Sequence, residues 1–193
     1  MAGSLRYLRF TLDQPQARVR VWLMDESRFG LRTDLKRRLT LRGIKPVGRY
    51  QHPRACFWLY GVADALSGTS YFRAFMRLSA TNFQTFVDDI QAAYPDELHL
   101  MLLDNSRTHL AHDLQLPPTM RLHFLPPYSP DLNPLERLWQ HIKAPLAGLW
   151  SDSILHLQEH LAAVIETLDD ATIFSIVSPQ WLQVAALNAG LAV

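Results

Sequence analysis

The stretch LHLMLLDNSRTH at residues 98–109, followed by LPPYSPDLNPLERLW at residues 125–139, decides the fold of this chain. In the first segment leucines recur on one face and the run ends on Asp104, which predicts a buried strand with a carboxylate at its carboxyl end. In the second segment Asn133 followed by Pro134 predicts the start of a helix that carries Glu136 in its first turn. Asp104 and Glu136 are therefore a candidate carboxylate pair held on two ordered elements.

A third carboxylate comes from residues 19–26, VRVWLMDE, a β-rich run. By the period-two rule Val21, Leu23 and Asp25 share one face, so Asp25 occupies a position where an apolar residue is expected. If this strand lies parallel to and beside residues 98–104, Asp25 and Asp104 are neighbours at the carboxyl edge, where open α/β sheets place their sites. Three carboxylates on separate elements suit two hard divalent cations and phosphoryl transfer.

Each of the three acids also has a purely structural explanation. Asp104 with Asn105 can cap the segment that follows. Glu136 lies three residues after Asn133, which is the glutamate position of a capping box. Asp25 can serve as the partner of one of the many arginines. The sequence leaves both explanations open for each acid.

Other chemistries find less support. Glu26 is disfavoured as a ligand because it points to the opposite strand face from Asp25, and Asp131 reads as a turn residue. The eight histidines include closely spaced pairs, but one cysteine and no HExxH motif make a zinc site weak. The chain has neither a GxSxG elbow nor a P-loop, which argues against a serine nucleophile and against nucleotide hydrolysis by that route.

The order of predicted elements indicates an α/β domain with a mixed sheet of five strands, flanked by helices and followed by extra carboxyl-terminal helices. Beyond the strand at 19–26, a hairpin is predicted at residues 55–66 and 69–78, and a helix from Ser79 or Thr81 to just before Pro95. The remaining predicted elements are a strand at 98–104, a short helix at 107–114, a strand at 120–125, a helix from 133, and helices at 153–168 and 181–191.

The charge is unevenly distributed, although the net charge is only +1. Residues 1–54 hold thirteen Lys and Arg against four Asp and Glu, which makes this third a candidate polyanion surface or, alternatively, an ordinary solvated face. The candidate nucleic-acid contacts are Arg28, Arg32, Lys36, Arg37, Arg38, Arg42 and Lys45.

A lone cysteine and no signal-peptide pattern predict a cytosolic protein, and polar residues within the charge-free segment 171–193 argue against a membrane role.

DES at Asp25, DNSRTH at Asp104 and LPPYSPDLNPLERLW around Glu136 resemble the motifs of the mariner superfamily of DDE transposases, especially its bacterial insertion-sequence branch. The resemblance covers residues 19–143. It implies a ribonuclease H-like fold in which Asp25, Asp104 and Glu136 bind two Mg²⁺ ions, with Mn²⁺ able to substitute. It further implies Asn105 and His109 as supporting residues beside the second acid, while the Asn133 cap would orient Glu136.

The same resemblance implies cleavage and strand transfer of double-stranded DNA by a homodimer. Relatives carry helix-turn-helix modules ahead of the catalytic domain, whereas only twenty-four residues precede Asp25. We therefore expect residues 1–193 to form one catalytic domain, with residues 1–18 as an arm and a separate helix-turn-helix polypeptide as partner. Two alternatives remain open: a silent or domesticated remnant that binds DNA or protein, and a structure-selective nuclease acting on RNA–DNA hybrids or junctions.

Overall fold

The computed structural model describes residues 17–31, 42, 55–111, 113–127, 132–188 and 191. The strands are β1 (Val19–Gly30), β2 (Cys56–Asp64), β3 (Ser70–Phe75), β4 (Leu98–Leu103) and β5 (Met120–Phe124). The helices are α1 (Ala80–Ala93), α2 (Leu135–Leu146), α3 (Ile154–Glu166), α4 (Asp170–Val177) and α5 (Gln180–Asn188).

The five strands form one mixed sheet in the order β3-β2-β1-β4-β5. β1, β2 and β3 are antiparallel neighbours, whereas β1 and β4, and β4 and β5, run parallel. The predicted mixed sheet of five strands flanked by helices is therefore confirmed, and so is the parallel pairing of β1 with β4. The carboxyl ends of β1, β4 and β5 all lie at one edge of the sheet.

Each face of the sheet has its own apolar core. On one face Val21 and Leu23 of β1 pack with α2, α3, α4 and α5. On the other face Trp22 and Met24 pack against Phe83 and other buried residues of α1. Alternate residues of β1 are therefore buried in different cores, and Asp25 and Glu26, in the middle of the strand, face different helices.

β1 is longer than predicted, because it continues to Gly30. The basic, turn-rich sequence from residue 27 to residue 54 indicates a loop or a loose hairpin, but Phe29 is buried and stacks on Phe57 of β2 with ring centroids 5.7 Å apart. Pairing with β4 ends at Leu23, whereas pairing with β2 continues to Gly30 opposite Cys56. The β1–β2 ribbon therefore extends well past the end of β4.

The predicted hairpin and the helix after it are confirmed, with ends shifted by one to three residues. Ser79 rather than Thr81 caps α1, since its Oγ accepts from the Asn82 amide at 3.1 Å. Gly68 closes the β2–β3 turn at φ 80°, where a Cβ would overlap the backbone carbonyl of Asp170 at the start of α4. Only glycine fits this turn, because the turn packs directly on the helix.

Two predictions about helices were wrong. Residues 107–109 form a single turn, not the start of a helix over 107–114, because the Asp104 carboxylate accepts from the Ser106 amide and His109 is drawn into the core. α4 was missed, although Ile173 and Val177 lie at helical i, i+4 spacing and are both buried. The Asp169 side chain caps this helix by accepting from the Thr172 amide at 2.7 Å. Residue 112 lies outside the described part of the chain.

Some of the sequence-based predictions concern residues that the structure does not describe. They include most of the predicted arm at 1–18, the basic positions Arg32, Lys36, Arg37, Arg38 and Lys45, and residues 128–131 of the proline-rich loop. Within the described ranges no helix is long and apolar enough to cross a membrane.

Candidate functional site

Asp25 and Asp104 are level with each other at the carboxyl edge of the sheet. Leu23 of β1 is paired with Leu102 of β4, and two residues further along each strand bring the chain to Asp25 and Asp104. The negative charge of Asp104 contributes to the electrostatics of Asp25, so the two carboxylates sense each other. The structure thus brings together the first two acids that the sequence selected.

Asp25 is a partly buried carboxylate with a strongly perturbed pKa. Burial, which disfavours the charged form, raises the pKa of Asp25 to about 7. A hydrogen bond from the Trp139 indole lowers the pKa in part, and the charges of Glu26 and Asp104 raise it further. An acid that ionises near neutral pH beside a second acid is typical of a functional site and of a position that binds cations.

Trp139 links α2 to this carboxylate. Its Nε1–H donates to Asp25 Oδ2 at 2.8 Å, and its ring is buried in the core beneath α2. In the sequence, Trp139 stands out only as the last residue of the LPPYSPDLNPLERLW motif, where apolar residues at helical spacing predict a buried helix side. The available signal was Gly61, a glycine inside the bulky strand CFWLYGVAD, since such glycines mark a close approach of another group.

Asp104 is held by a histidine that reaches around the end of the sheet. His109 Nδ1 lies 3.0 Å from Asp104 Oδ1, and His109 Nε2 lies 2.9 Å from Glu26 Oε1. The His109 and Glu26 side chains are 1% and 7% exposed, whereas that of Asp104 is 60% exposed. A buried Glu26–His109 pair therefore supports an accessible carboxylate.

Burial disfavours the charged ring of His109, but the carboxylates of Glu26 and Asp104 outweigh it and raise the pKa of His109. An imidazole with a carboxylate at each nitrogen donates to both only when both nitrogens carry hydrogen, so this geometry favours the imidazolium. The ring also packs on Phe83 of α1, with centroids 4.5 Å apart. Glu26, dismissed from sequence because it points away from Asp25, thus reaches the site from the α1 face.

The two asparagines hold backbone rather than pointing at the carboxylates. Asn105 Nδ2 donates to the Leu125 carbonyl at 2.6 Å, which ties the end of β4 to the end of β5. Asn133 Oδ1 accepts from the Leu135 amide at 3.2 Å, and its Nδ2 donates to the Met24 carbonyl at 2.9 Å. Pro134 rather than Asn133 is the N-cap of α2, and Asn133 holds the turn just before the helix and fastens it to β1, one residue before Asp25.

Glu136 lies in the first turn of α2 and is exposed. Its carboxylate makes no hydrogen bond or ion pair with any described residue, so the capping-box interaction proposed from sequence does not form there. The structure does not gather Glu136 with the other two acids: among the described residues, no three His, Cys, Asp or Glu side chains are grouped closely enough to hold a metal ion. His156 and His160 stack with centroids 4.3 Å apart but belong to no such group.

Of the basic positions selected from sequence, the structure describes Arg28 and Arg42, and both are exposed. Arg28 lies on the part of β1 that extends past Asp25, three residues beyond that carboxylate. At about 3.3 Å per residue it stands roughly 10 Å further along the strand.

Comparison with known proteins gives three findings. Residues 20–153 match the model of a family described as DDE superfamily endonuclease. An uncharacterized protein, y4pE/y4sA of Sinorhizobium fredii (strain NBRC 101917 / NGR234), is 36% identical over 61 residues, which cover 31% of this chain and 45% of that protein. The solved Mos1 mariner paired end complex with Mn superposes with a TM-score of 0.68 at 17% identity, covering 100% of this chain and 63% of that chain.

A Mos1 transposase paired-end complex with left transposon end gives a TM-score of 0.65 at 18% identity, covering 99% of this chain and 61% of that chain. The shared architecture is the ribonuclease H-like fold, which confirms the fold expected from sequence. The chain spans about three fifths of the length of these solved chains and less than half of the curated relative.

Proposed function

Because this chain belongs to the DDE superfamily endonuclease family, we propose that it is the catalytic domain of a transposase that cuts and joins DNA at the ends of an insertion sequence. One observation carries the proposal: Asp25 and Asp104 lie level at the carboxyl edge of a ribonuclease H-like sheet, and the pKa of Asp25 is raised to about 7. The likeness to Mos1 transposase complexes supports the same reaction class.

We propose that Asp25, Asp104 and Glu136 hold two Mg²⁺ ions, with Mn²⁺ as a substitute. The donor set fits, because hard divalent cations prefer carboxylate oxygens, and a cation beside Asp25 and Asp104 would stabilise both in the ionised form. Glu136 is exposed and has no described partner, so its side chain is free to turn towards such a cation. A Mos1 complex was solved with Mn, which supports a divalent metal.

Divalent cations bound by these carboxylates would supply Lewis-acid activation of the attacking hydroxyl and would neutralise charge on the phosphate. The residues of the chain orient that chemistry. Asp25 is fixed by the Trp139 indole, and Asp104 by the Glu26–His109 pair. We propose that Asn133, which fastens the start of α2 to β1, helps to orient Glu136 towards the same cations. Because the cations would activate the attacking hydroxyl, no protein base with a tuned pKa is required.

The proposed substrate is double-stranded DNA, both the transposon end and the target. Arg28 is exposed on the part of β1 that extends past Asp25, which supports a phosphate contact beyond the carboxylates, and we propose the exposed Arg42 as a second phosphate contact. We further propose that the chain acts as a homodimer of single catalytic domains in the bacterial cytosol, in the insertion-sequence branch of the superfamily. A separate helix-turn-helix polypeptide would recognise the terminal repeats.

Nicking of supercoiled plasmid DNA in Mn²⁺ or Mg²⁺ tests the proposal. We expect nicking by the full chain, its loss on chelation, and its loss in Asp104→Ala. Asp96→Ala is the matched control, because Asp96 is an exposed aspartate at the amino end of β4. Undiminished nicking in Asp104→Ala would overturn the assignment of the site.

The same preparations separate the alternatives. Titration calorimetry that shows no binding of Mg²⁺ or Mn²⁺ would identify a silent remnant. Turnover of RNA–DNA hybrids or junctions without any strand joining would identify a structure-selective nuclease instead.

A further inference from the structure

The ring of Trp139 lies over one row of residues that crosses the sheet. Asp25 on β1 is paired with Gly61 on β2, and Gly61 is paired with Phe72 on β3. Directly opposed residues of antiparallel strands point to the same face, which here is the face covered by α2. The Trp139 ring packs edge-to-face on Phe72 with centroids 5.9 Å apart, and its Nε1–H reaches Asp25 Oδ2 at 2.8 Å.

Gly61 provides the space for this ring. A Cβ at Gly61 would lie 2.5 Å from Cη2 of Trp139 and 3.0 Å from the ring of Phe72. Glycine weakens a strand interior, since it adds no packing and has high conformational freedom when unfolded. Its presence in the middle of a buried strand is explained by the close approach of the indole, and we name this position the Gly61 notch.

Helix α2 is fastened to β1 at two adjacent residues. Asn133 donates to the Met24 carbonyl at 2.9 Å, and Trp139 donates to the Asp25 carboxylate. Glu136 lies between the two donors in sequence, three residues after Asn133 and about 4.5 Å before Trp139 along the helix axis. The two hydrogen bonds therefore fix the position of α2 along its own axis and its rotation about that axis, and with them the place of Glu136 relative to Asp25.

We propose that Trp139, seated in the Gly61 notch, is a positioning residue that sets Asp25 and Glu136 in a fixed relation for cation binding. The inference rests on the proposed function, because it assumes that the two acids share a divalent cation. Trp139 itself does not touch the cation. It orients one ligand directly and carries the other ligand on its own helix, as partners beyond the ligands commonly do in metal sites.

Mn²⁺ affinity of the full-length chain, measured by titration calorimetry, tests the proposal. Trp139→Phe keeps an aromatic side chain but removes the indole N–H and the distal ring atoms that enter the Gly61 notch, and we expect Mn²⁺ to bind about 10- to 100-fold more weakly. Trp22→Phe is the matched control: it removes another buried indole hydrogen bond, to His99 Nδ1 at 3.0 Å, on the opposite face of the sheet. The control should change Mn²⁺ affinity by less than about twofold.

A second measurement needs no metal. In a ¹⁵N-tryptophan NMR spectrum, the indole signal that disappears in Trp139→Phe belongs to Trp139, and Gly61→Ala should shift it because the new Cβ displaces the ring from Asp25. An unmoved signal in Gly61→Ala, or wild-type Mn²⁺ affinity in Trp139→Phe, would overturn this inference alone. Failure of the unsubstituted chain to bind Mn²⁺ would overturn the proposed function and this inference with it.

Discussion

Replacing Asp25 by asparagine should stabilise the metal-free protein at neutral and alkaline pH while abolishing its activity. The pKa of Asp25 is raised to about 7 by burial first, and then by the charges of Glu26 and Asp104. In the unfolded chain the same carboxyl ionises near pH 4. Asparagine keeps the shape and still accepts a hydrogen bond from Trp139, but it carries no charge to desolvate.

The sign follows from proton binding. Between about pH 4 and pH 7 the folded protein keeps a proton on Asp25 that the unfolded chain has released, so the free energy of unfolding falls as pH rises. The loss of stability that comes from burying the charged Asp25 carboxylate is absent below about pH 4 and complete above about pH 7. A pKa raised from 3.8 to about 7 corresponds to about 4 kcal/mol at full conversion. Because Asp25 is only partly buried and its surroundings relax, we expect about 2 kcal/mol.

Urea unfolding in EDTA at several pH values between 4 and 8 measures this effect. Asp25→Asn should match the wild type near pH 4 and exceed it by about 2 kcal/mol at pH 8, or roughly 5 °C in Tm for a chain of this size. Asp96→Asn, at an exposed position, should follow the wild type throughout. Addition of Mn²⁺ should stabilise the wild type and leave Asp25→Asn unchanged, because only the former keeps the anionic ligand.

A stability difference that does not vary with pH would refute the reasoning, since it would come from packing rather than from the ionisation of Asp25. Lower stability of Asp25→Asn at pH 8 would refute it as well. Either outcome would mean that the carboxylate is well solvated or already compensated in the folded protein.

Three further predictions concern other parts of the structure. Glu26→Gln should slow metal-dependent nicking about tenfold, because His109, which bridges Glu26 and Asp104, loses a charged partner. An unchanged nicking rate would contradict this role of Glu26. Gly68→Ala should lower the free energy of unfolding in urea by at least about 3 kcal/mol, because φ is positive there and the new Cβ would overlap α4. Gly148→Ala is the matched control: φ is 87° but the space around it is open, so the loss should be about 1 kcal/mol. Arg28→Ala and Arg42→Ala should each lower the slope of log affinity for duplex DNA against log salt by about 0.9, and an unaltered slope would exclude a phosphate contact.

The parts of the fold that follow a regular pattern were predictable from sequence. Alternation along β1 and β4 placed Asp25 and Asp104 on the same face, and parallel pairing then made them neighbours. Ser79 and Ser153 marked the starts of α1 and α3. Each hydroxyl accepts a hydrogen bond from the backbone amide three residues later, which is a local interaction that the sequence can reveal. Local rules of this kind need no knowledge of distant contacts.

The missed features depend on contacts between distant residues. The role of Glu26 depends on His109, eighty-three residues away, which folds around the end of the sheet and also prevents the helix predicted at 107–114. The meaning of Gly61 depends on Trp139, which approaches it from another element. β1 continues to Gly30 because the Phe29 ring stacks on Phe57 of β2. None of these partners lies within the span over which periodicity or capping can be read.

Because β1 extends past the end of β4, the β1–β2 ribbon sets a fixed distance between Asp25 and the tip of the ribbon. β1 remains paired with β2 for five residues after Asp25, a distance of about 17 Å at 3.3 Å per residue. One turn of B-DNA measures about 34 Å, so the tip of this ribbon stands about half a helical turn from a phosphodiester bound at the carboxylates. If the proposed function holds, shortening the ribbon by one residue on each strand would move any contact at its tip by about 3 Å, or one base-pair step, relative to the bond at the carboxylates.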